Sequence, residues 1–593
     1  MNLRVDGVLE EALYAVGLFF AALEVILFAL AGFGFLRERT AIALLAGAAI
    51  LAGRGWLCLP KFAGAFIGQM RRVSRSRLMI IVCVLVFVAL MVDALMAMAP
   101  LTGSDAMHYH FTAPMVWAGK AMGPIFWLSY SFLTGQGHLL IALGMALGSD
   151  RISLGLIFLG GILTAGSLFL LTRKLTSSEQ WAWIATLAFL LTPMVYWQMS
   201  TSGSPDIWMA FYTTLVVLTA ARGIQSGGRN WWYAAGIFGG VVAGSKYTGW
   251  VVPVALVLIC FLSLRSLRLS ALCGLWTLPT GILPLVRNAY WTGDPFFPFL
   301  THWLAPTKVN TFALSVMVAN TRSSGFNRSI FGTAAYPLGL VLNGDAYGFG
   351  HYFGPLVLAF APLLFLFLSV HKGFLARIAA GMWAMVLLSN ALLSQEARFL
   401  LPVFPIALAL AVCGMADSFR GRWMVRVGCQ GTLLLFFAFG LASEMMYARD
   451  FIPATLGLER QEAFLDRMAQ DYPLAAFINR AVVGKDHVLV FFRHLYYLRV
   501  PFIEGLPDQS WLMDPQRIAE PQQLLDLLHR ENIRWVVKSP DYPEALASVF
   551  QALEDQGRLR RVSSTQVSTF AYFRIYGQRV PLQVTIMEVV PTT

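Results

Sequence analysis

Residues 78–100 read LMIIVCVLVFVALMVDALMAMAP, an apolar stretch in which Asp93 is the single charged residue. A run of about 20 apolar residues is long enough to cross the hydrocarbon core of a bilayer as a helix. The same composition extends along the chain: of its 593 residues, 57% are hydrophobic and 13% are charged. Soluble domains carry roughly 25% charged residues, and their cores stop growing beyond about 250–300 residues. The sequence therefore predicts an integral membrane protein and excludes a soluble enzyme fold for most of its length.

Similar apolar segments along the chain predict a polytopic α-helical membrane protein with about 13 transmembrane helices. The segments 231–246 and 250–264 are short, and Lys246 lies where they meet, so they form either two short spans or a broken, re-entrant pair. The candidate spans are 12–36, 41–58, 78–100, 151–172, 180–198, 204–222, 231–246, 250–264, 270–287, 352–370, 377–393, 400–416 and 424–446.

Basic residues concentrate in alternate loops, which predicts the orientation of the chain. If the N-terminus is cytoplasmic, the inner loops hold only Glu179 and Asp417 as acids. Loop Lys and Arg favour the cytoplasmic side of a membrane, so the net charge of +12 is largely a topology signal and no nucleic-acid partner is expected. The basic residues of these inner loops are Lys61, Arg71, Arg72, Arg75, Arg77, Arg173, Lys174, Arg222, Arg229, Arg265, Arg268, Lys372, Arg377, Arg420, Arg422 and Arg426.

This topology divides the chain into three parts. Residues 1–77 form two N-terminal transmembrane helices and a basic cytoplasmic loop, and residues 78–446 form a larger transmembrane module with outer loops 101–150 and 288–351. Residues 447–593 are polar and predict a small outer α/β domain, with buried strands near 488–492 and 535–537 and an amphipathic helix over 521–531. The first apolar segment is too long for a cleavable signal peptide. The six cysteines lie in or beside apolar stretches, so no disulfide framework is expected.

The first outer loop places a carboxylate beside imidazole and phenol groups. In LTGSDAMHYHFTAP, residues 101–114, Ser104 is a predicted cap of a helix beginning at Asp105. His108 and Tyr109 would share a face with Asp105, and the helix would lie in the membrane interface and be limited by Pro114. Asp105 is then a candidate general base; the alternative is a first-turn acid that the helix dipole favours.

The same loop leaves a divalent cation open as a cofactor. Asp105 and His108, with His110 or His138, are the candidate ligands. However, His108 and His110 are two residues apart and would point about 200° away from each other on an α-helix. A metal site would require an irregular loop, so no metal ligands are assigned.

Charged residues are scarce on the outer side, which makes each of them informative. Asp206 opens a span at the same membrane level as Asp105, where it is either a helix cap or a second acid that orients an acceptor hydroxyl. Lys246 interrupts an apolar stretch, and charges inside membrane segments usually face a cavity. Arg287 and Arg398 suit phosphate recognition; the alternatives are snorkelling to the interface and, for Arg398, an ion pair with Glu396.

Four short motifs occur in the order found in the GT-C membrane glycosyltransferases. The first resembles their catalytic loop and carries Asp105 in SDAMHYH, and GSKY at 244–247 resembles their glycine-rich span followed by Lys. RN at 287–288 with GDPFFP at 293–298 resembles their RN…GNP(h)(h)P segment, where h is hydrophobic. EARFLLP at 396–402 resembles their RYLLP segment.

The resemblance covers residues 78–446 and is nearest to the protein O-mannosyltransferases and aminoarabinose transferases. It implies a GT-C-like catalytic module of an inverting enzyme that takes a sugar from a polyprenyl-phosphate-linked donor. The implied acceptor is an envelope glycan, lipid or protein at the periplasmic face of the bacterial inner membrane. In this role Asp105 would be the base, and Lys246, Arg287 and Arg398 would hold the lipid phosphate.

The other residues that the resemblance points to are less specific. Asp206 matches an acidic position in relatives and is a second catalytic candidate, and the expected substrate contacts include His108, Tyr109, His110 and Glu396. The mannosyltransferases carry Asp-Glu in the first loop, whereas Ala106 follows Asp105 here. Sugar and acceptor are therefore not transferred from the named groups.

Two other classes share the membrane lipids and lipid-linked partners of such an enzyme. A transporter or flippase for a lipid-linked glycan would also use an intramembrane lysine and a broken span, although the sequence shows no inverted repeat. A glycan polymerase or ligase would move a block of sugars instead of one. Neither GxxxxGK[ST] nor GxGxxG is present to indicate a nucleotide-dependent reaction.

Overall fold

A computed structural model describes residues 7–51, 76–133, 135–304, 309–323, 328–343, 373–419, 423–539, 543–570 and 578–590, with a few isolated positions between them. Within these ranges eight helices are long and apolar enough to cross a membrane, or up to ten spans if each of two bent helix pairs counts as one. This confirms a polytopic α-helical membrane protein. The eight helices are Val8–Gly32, Arg77–Ala97, Asp150–Thr176, Asp206–Ser226, Tyr247–Leu264, Phe374–Leu392, Ala397–Ser418 and Trp423–Ala448.

The two bent pairs correspond to predicted single spans. Glu179–Leu190 and Pro193–Ser200 meet at 69°, and Leu267–Gly281 and Leu283–Thr292 meet at 60°. Pro193 is the first residue and Pro284 the second residue of the second helix in their respective pairs. Proline lacks the N–H of the helix ladder and is tolerated in a first turn, so it favours a break here.

The prediction of about 13 spans exceeds what the described residues contain. The segment 231–246 is a 17-residue helix, Arg229–Ser245, and Lys246 follows it in an extended conformation before the next helix. The predicted span 41–58 is described only as far as residue 51, in the helix Glu38–Leu51. The sequence features that lie outside the described residues are the span 352–370, Cys58, Lys61, Arg71, Arg72, Arg75, Lys372, Arg420 and Arg422.

Shorter helices lie between and beside the spans. Short 3₁₀ helices occur at Ser129–Leu133, Tyr247–Trp250, Ala397–Val403 and Glu544–Leu546. The remaining short α-helices are Thr112–Trp117, Gly137–Ala146, Leu267–Leu275, Leu278–Gly281, Thr301–Leu304, Thr311–Ser323, Ile330–Leu342, Ile452–Thr455, Gln461–Met468, Tyr472–Ala481, Pro521–Arg530 and Ala547–Asp555.

The helix Asp206–Ser226 runs through the middle of the bundle. It packs against Asp150–Thr176 and Arg229–Ser245 and against the first turns of Ala397–Ser418, and its residue Trp208 is 1% exposed. Trp208 fits because Gly160 faces it: a Cβ at Gly160 would lie 2.8 Å from the indole nitrogen. This central helix therefore begins, at Asp206, inside the protein.

The first outer loop departs from the predicted α-helix. Ala106–His110 form a π-helix, whose wider turn does not keep the expected α-helical face. Ser104 does not cap the helix, because its hydroxyl pairs with His494. Pro114 does not end the following helix Thr112–Trp117, since it lies in its first turn. Residues 106–114 are buried on all sides, so the prediction of an interfacial helix was wrong.

The C-terminal part contains a mixed five-stranded sheet, which confirms its predicted α/β character. The strands are β1 (His487–Val490), β2 (Phe502–Glu504), β3 (Ile533–Lys538), β4 (Leu559–Phe570) and β5 (Arg579–Val589), in the order β2-β1-β3-β5-β4. β1 pairs in parallel with β2 and β3, and β5 pairs antiparallel with β3 and β4. The predicted helix is Pro521–Arg530, whose leucines pack against the sheet.

The segment that follows β1 lies directly on the first outer loop. The backbone N–H groups of Leu495 and Tyr496 both donate to the carbonyl of Met107, each at 3.1 Å. The hydroxyl of Tyr497 donates to the carbonyl of Leu101 at 2.7 Å. The sheet-containing part therefore contributes residues to the neighbourhood of Asp105, and the boundary at 446 stays a proposal.

Candidate active site

Asp105 lies between two arginines from distant parts of the chain. Its Oδ2 pairs with Nη1 of Arg398, and its Oδ1 accepts a hydrogen bond from Nη2 of Arg493 at 2.6 Å. Burial alone would raise the pKa of the Asp105 carboxyl, but the charges of Arg398 and Arg493 hold that pKa well below its usual value. Asp105 is therefore an ionised carboxylate with a cation on each oxygen.

Arg398 also pairs with Glu396. The Nε of Arg398 lies 2.6 Å from Oε1 of Glu396. Burial raises the pKa of Glu396, and the charge of Arg398 opposes that rise. The ion pair considered as an alternative to phosphate recognition is thus present, and Arg398 contacts Asp105 at the same time.

A second acid–cation pair lies beside the first. Nζ of Lys246 lies 2.7 Å from Oδ1 and 2.9 Å from Oδ2 of Asp206, and the hydroxyl of Ser204 donates to Oδ2 at 2.8 Å. The ring of Phe399 has Lys246 5.7 Å from its centre and Arg398 5.4 Å from its centre. Phe399 therefore joins the two pairs, because both cations approach one ring within the range of a cation–π interaction.

His108 connects the pair around Asp105 to the sheet. Its Nδ1 accepts a hydrogen bond from Nε of Arg493 at 3.2 Å, so its proton is on Nε2, which donates to Glu504 at 3.1 Å. Burial, and then the charge of Arg493, lower the pKa of His108, while burial raises the pKa of Glu504. His108 is therefore a neutral link that fixes the position of Arg493.

Tyr109 and His110 complete the buried interior of the loop. The ring of Tyr109 stacks on Tyr130 with 5.3 Å between centres, and burial raises the pKa of the Tyr109 phenol well above its usual value. Nδ1 of His110 lies 2.6 Å from Nε2 of His138. Tyr109 is 7% exposed and His110 is fully buried, so both side chains belong to the packed interior of the loop.

Arg287 belongs to a neighbouring network. Its Nη2 donates to the carbonyl of Phe132 at 3.0 Å and to Oδ1 of Asn288 at 2.9 Å, and Asn288 donates to the hydroxyl of Tyr247 at 2.8 Å. Tyr247 directly follows Lys246. The sequence candidates thus form one group around Asp105 and one around Asp206, with Arg287 holding the backbone that flanks the second group.

Sequence reasoning missed the contribution of the C-terminal part. Arg493 and His494 follow β1, and Glu504 ends the adjacent parallel strand β2. The carboxyl ends of parallel strands meet at one edge of a sheet, which is where ligands bind in open α/β sheets. The sequence RH directly after the buried run VLVFF was the signal that could have identified them.

His494 anchors this edge beside Asp105. Its Nε2 lies 2.8 Å from the hydroxyl of Ser104, and its Nδ1 lies 2.7 Å from Oδ2 of Asp471. Asp471 and His494 are both buried. The residue preceding Asp105 is therefore bonded to the segment that supplies Arg493, which holds the two sides of the ion pair together.

Side chains of the types that can bind metal ions lie near Asp105. Across the residues that the structure describes, no group of three or more His, Cys, Asp or Glu side chains is arranged to hold a metal ion. Asp105 is engaged by Arg398 and Arg493, and His108 by Arg493 and Glu504. The described side chains therefore assign no metal site.

Comparisons with known proteins agree with this architecture. Residues 137–291 match the family described as dolichyl-phosphate-mannose-protein mannosyltransferase. The fold is similar to ArnT from Cupriavidus metallidurans bound to undecaprenyl phosphate, with 17% identity, a TM-score of 0.52, and coverage of 85% of this chain and 97% of that chain. The apo form of the same ArnT gives 17% identity, a TM-score of 0.50, and coverage of 86% and 98%.

Two further results complete the comparison. The archaeal oligosaccharyltransferase AglB from Archaeoglobus fulgidus matches at 14% identity with a TM-score of 0.44, over 76% of this chain and 69% of that chain. No curated protein matches the chain in sequence.

The fold is similar to that of ArnT, and the family match over residues 137–291 and this fold both point to a GT-C membrane glycosyltransferase. The match to the mannosyltransferase family covers less than half of the chain. It includes Asp206, Lys246 and Arg287, whereas Asp105, Arg398 and Arg493 lie outside it.

Proposed function

We propose that this protein transfers a sugar, with inversion, from a polyprenyl-phosphate-linked donor to a hydroxyl group of an envelope glycan, lipid or protein. The observation that carries the proposal is the pair of acid–cation clusters that meet at Phe399: Asp105 with Arg398, and Asp206 with Lys246. A glycosyl phosphate requires cations for its leaving group and a base for the acceptor, and both kinds of group lie here. Undecaprenyl phosphate bound to a protein of the same fold supports the choice of donor.

The cations would hold the phosphate of the donor. One guanidinium group can donate two parallel hydrogen bonds to a phosphate, and such charge-assisted hydrogen bonds are among the strongest in proteins. Arg398 and Arg493 each already bind one carboxylate oxygen of Asp105, so an arriving phosphate would compete with that carboxylate for them. Lys246 would add a third cation, and the three would stabilise the negative charge that grows on the leaving phosphate.

Asp105 would become the base as the donor binds. A carboxylate between two cations is a weak base, because the cations favour its ionised form. Once a phosphate neutralises Arg398 and Arg493, the pKa of Asp105 rises and the carboxylate can accept the proton of the acceptor hydroxyl. The acceptor oxygen then bonds to the anomeric carbon, the bond from that carbon to the phosphate oxygen breaks, and the polyprenyl phosphate leaves with the electron pair.

Asp206 would hold Lys246 in place. It is 2% exposed, and both of its oxygens lie within 2.9 Å of Lys246 Nζ. Its role would therefore be to position the lysine that faces the phosphate.

The reaction would take place at the periplasmic face of the bacterial inner membrane, with the N-terminus in the cytoplasm. Lys174 and Arg222, both from predicted inner loops, pair with Glu10 at 3.0 and 2.7 Å. Arg222 and Asp206 lie on the same helix, 16 residues apart, which is about 24 Å at 1.5 Å per residue. Lys174, Arg222 and Glu10 therefore lie near the end of this helix opposite Asp206, which supports the proposed orientation.

A comparison of envelope glycans and glycolipids by mass spectrometry tests the proposal in cells. Cells that lack the protein should lose a sugar modification, and Asp105→Asn should fail to restore it. The matched control is Asp526→Asn, which changes an exposed carboxylate on the helix Pro521–Arg530 and should restore it fully. Loss of a block of sugars instead of one would favour a polymerase or ligase, and restoration by Asp105→Asn would contradict the assigned base.

A further inference from the structure

The hydrogen bonds of the buried His110–His138 pair fit only one arrangement of its protons. The backbone N–H of Gly135 donates to Nδ1 of His138 at 3.1 Å. A ring nitrogen that accepts a hydrogen bond carries no proton, and a neutral imidazole has one nitrogen of each kind. The proton of His138 is therefore on Nε2.

The proton on Nε2 of His138 determines which nitrogen of His110 is protonated. Nε2 of His138 lies 2.6 Å from Nδ1 of His110, so His138 donates and His110 accepts. The ring centres are 4.9 Å apart and the planes differ by 23°, which is the geometry of two rings bonded edge to edge. The proton of His110 is therefore on its own Nε2.

That last N–H group has no protein partner. Among the described residues, Nε2 of His110 is buried and makes no hydrogen bond. A buried donor without an acceptor costs about 1–3 kcal/mol, so an acceptor from a ligand is the natural partner. His110 lies in the same loop as Asp105, and the loop that leads to its partner His138 contacts the backbone that precedes Lys246, so the pair belongs to the candidate active site.

The ring of His110 is neutral, and its tautomer is fixed. Burial lowers the pKa of His110 well below its usual value, and His138 and Lys246 lower it further. With Nε2 already protonated and Nδ1 occupied by His138, His110 cannot act as a base. Its available chemistry is to donate one hydrogen bond.

We propose that His138 is a positioning residue that fixes the tautomer of His110, and that Nε2–H of His110 donates to a phosphate oxygen of the lipid-linked donor. The inference rests on the proposed function and adds a neutral donor to the three cations around the phosphate. The phosphate is favoured over the sugar as the acceptor because the loop that leads to His138 contacts the backbone preceding Lys246, one of the cations proposed for the phosphate.

Gly135 joins this relay to Lys246. A Cβ at Gly135 would lie 1.9 Å from the carbonyl oxygen of Gly244, and the N–H of Gln136 donates to that same carbonyl at 2.8 Å. The loop that carries Gly135 is therefore in backbone contact with the end of the helix that precedes Lys246. One contact fixes both His138 and the lysine, so the N–H and the cation keep their relative positions.

The binding test uses the purified full chain in detergent and undecaprenyl phosphate as the probe. His138→Leu removes the donated proton and should weaken binding about tenfold, because a hydrogen bond to a charged group is lost. His138→Gln keeps an N–H close to the position of Nε2 and should retain most of the affinity. His110→Leu should lose as much affinity as His138→Leu, and His110→Gln should retain most of the affinity. If His138→Leu does not fold, the two His110 variants test the phosphate contact instead.

A spectroscopic readout separates positioning from general damage. In protein labelled with ¹⁵N-histidine, the Nε2 signal of His110 should be that of a protonated nitrogen, should move when undecaprenyl phosphate is added, and should lose its fixed state in His138→Leu. A fixed His110 tautomer in His138→Leu, or equal loss of affinity in the Leu and Gln variants of His138, would overturn the inference and leave the proposed function standing. Failure of the unaltered protein to bind undecaprenyl phosphate would contradict the proposed function and, with it, the phosphate contact.

Discussion

Nη2 of Arg493 lies 2.6 Å from Oδ1 of Asp105, although 388 residues separate them in the chain. Through this contact the sheet-containing C-terminal part contributes a cation to the candidate site. Arg493 is fixed in turn by Nδ1 of His108. The carboxylate of Asp105 therefore has one cation from the membrane bundle and one from the segment that follows β1.

Removal of Arg493 should impair the reaction. Arg493→Ala takes away one of the three cations proposed for the phosphate, so we expect sugar transfer to fall by about 10- to 100-fold, as for the loss of one charge-assisted contact. The measurement is the rate of transfer by the purified protein. Arg499→Ala is the matched control, because Arg499 is an exposed residue of the same segment, and it should keep the rate of the unaltered protein. Equal rates for Arg493→Ala and the unaltered protein would place Arg493 outside the mechanism.

The pH dependence of the reaction should also respond to Arg493. The charges of Arg398 and Arg493 hold the pKa of Asp105 well below its usual value against the effect of burial. Without one of these charges the pKa of Asp105 rises, so the fraction of ionised base falls at a higher pH than before. The acidic limb of the rate profile of Arg493→Gln should therefore move to higher pH. A shift to lower pH, or none, would argue against Asp105 as the group that titrates.

The pair Asp206–Lys246 should show strong coupling. Asp206→Asn or Lys246→Met alone leaves one buried charge without its partner, which typically costs 3–5 kcal/mol, so each single variant should have a clearly lower Tm in detergent. The double variant removes both charges and should recover most of the Tm. It should stay inactive, because Lys246 is proposed to face the phosphate. An active double variant would show that the pair is structural only.

Much of this organisation was predictable from sequence, since apolar length and loop charge dictate how a chain crosses a membrane. Asp105, Arg398, Asp206 and Lys246 could be singled out because a charge in an apolar outer region is rare. The structure adds that they are paired with each other, which no spacing reveals. Arg287 was grouped with them on the same grounds, but it donates to the carbonyl of Phe132 and to the side chain of Asn288.

Other features of the fold and the site could not be predicted from the local sequence. Ser104 has the chemistry of a helix cap, but His494, 390 residues away, takes its hydroxyl. The π-helix Ala106–His110 depends on packing against the segment after β1, whose residues Leu495 and Tyr496 both bond to Met107. Pro193 and Pro284 mark breaks within two apolar segments that were predicted as single spans. Long-range contacts thus decided the details of the site, and local composition decided the bundle.

The close backbone contact at Gly135 should be intolerant of a side chain. Gly135→Ala would place a Cβ 1.9 Å from the carbonyl oxygen of Gly244, so the loop must shift and we expect a lower Tm and a large loss of transfer. Gly155→Ala is the control, because nothing lies within 4 Å of a Cβ built there. It should leave both quantities unchanged. A Gly135→Ala variant with an unchanged Tm and rate would show that the loop has room that the structure does not indicate.

The most direct test of the central claim is the stoichiometry of transfer by the purified protein. Lipid-linked sugars and acceptor material extracted from the native membranes would be incubated with the protein, and both products would be measured by mass spectrometry. The account predicts one polyprenyl phosphate released for each sugar gained by the acceptor, and neither product with Asp105→Asn. Full transfer by Asp105→Asn, or movement of the donor across vesicles with its glycosyl–phosphate bond intact, would contradict it.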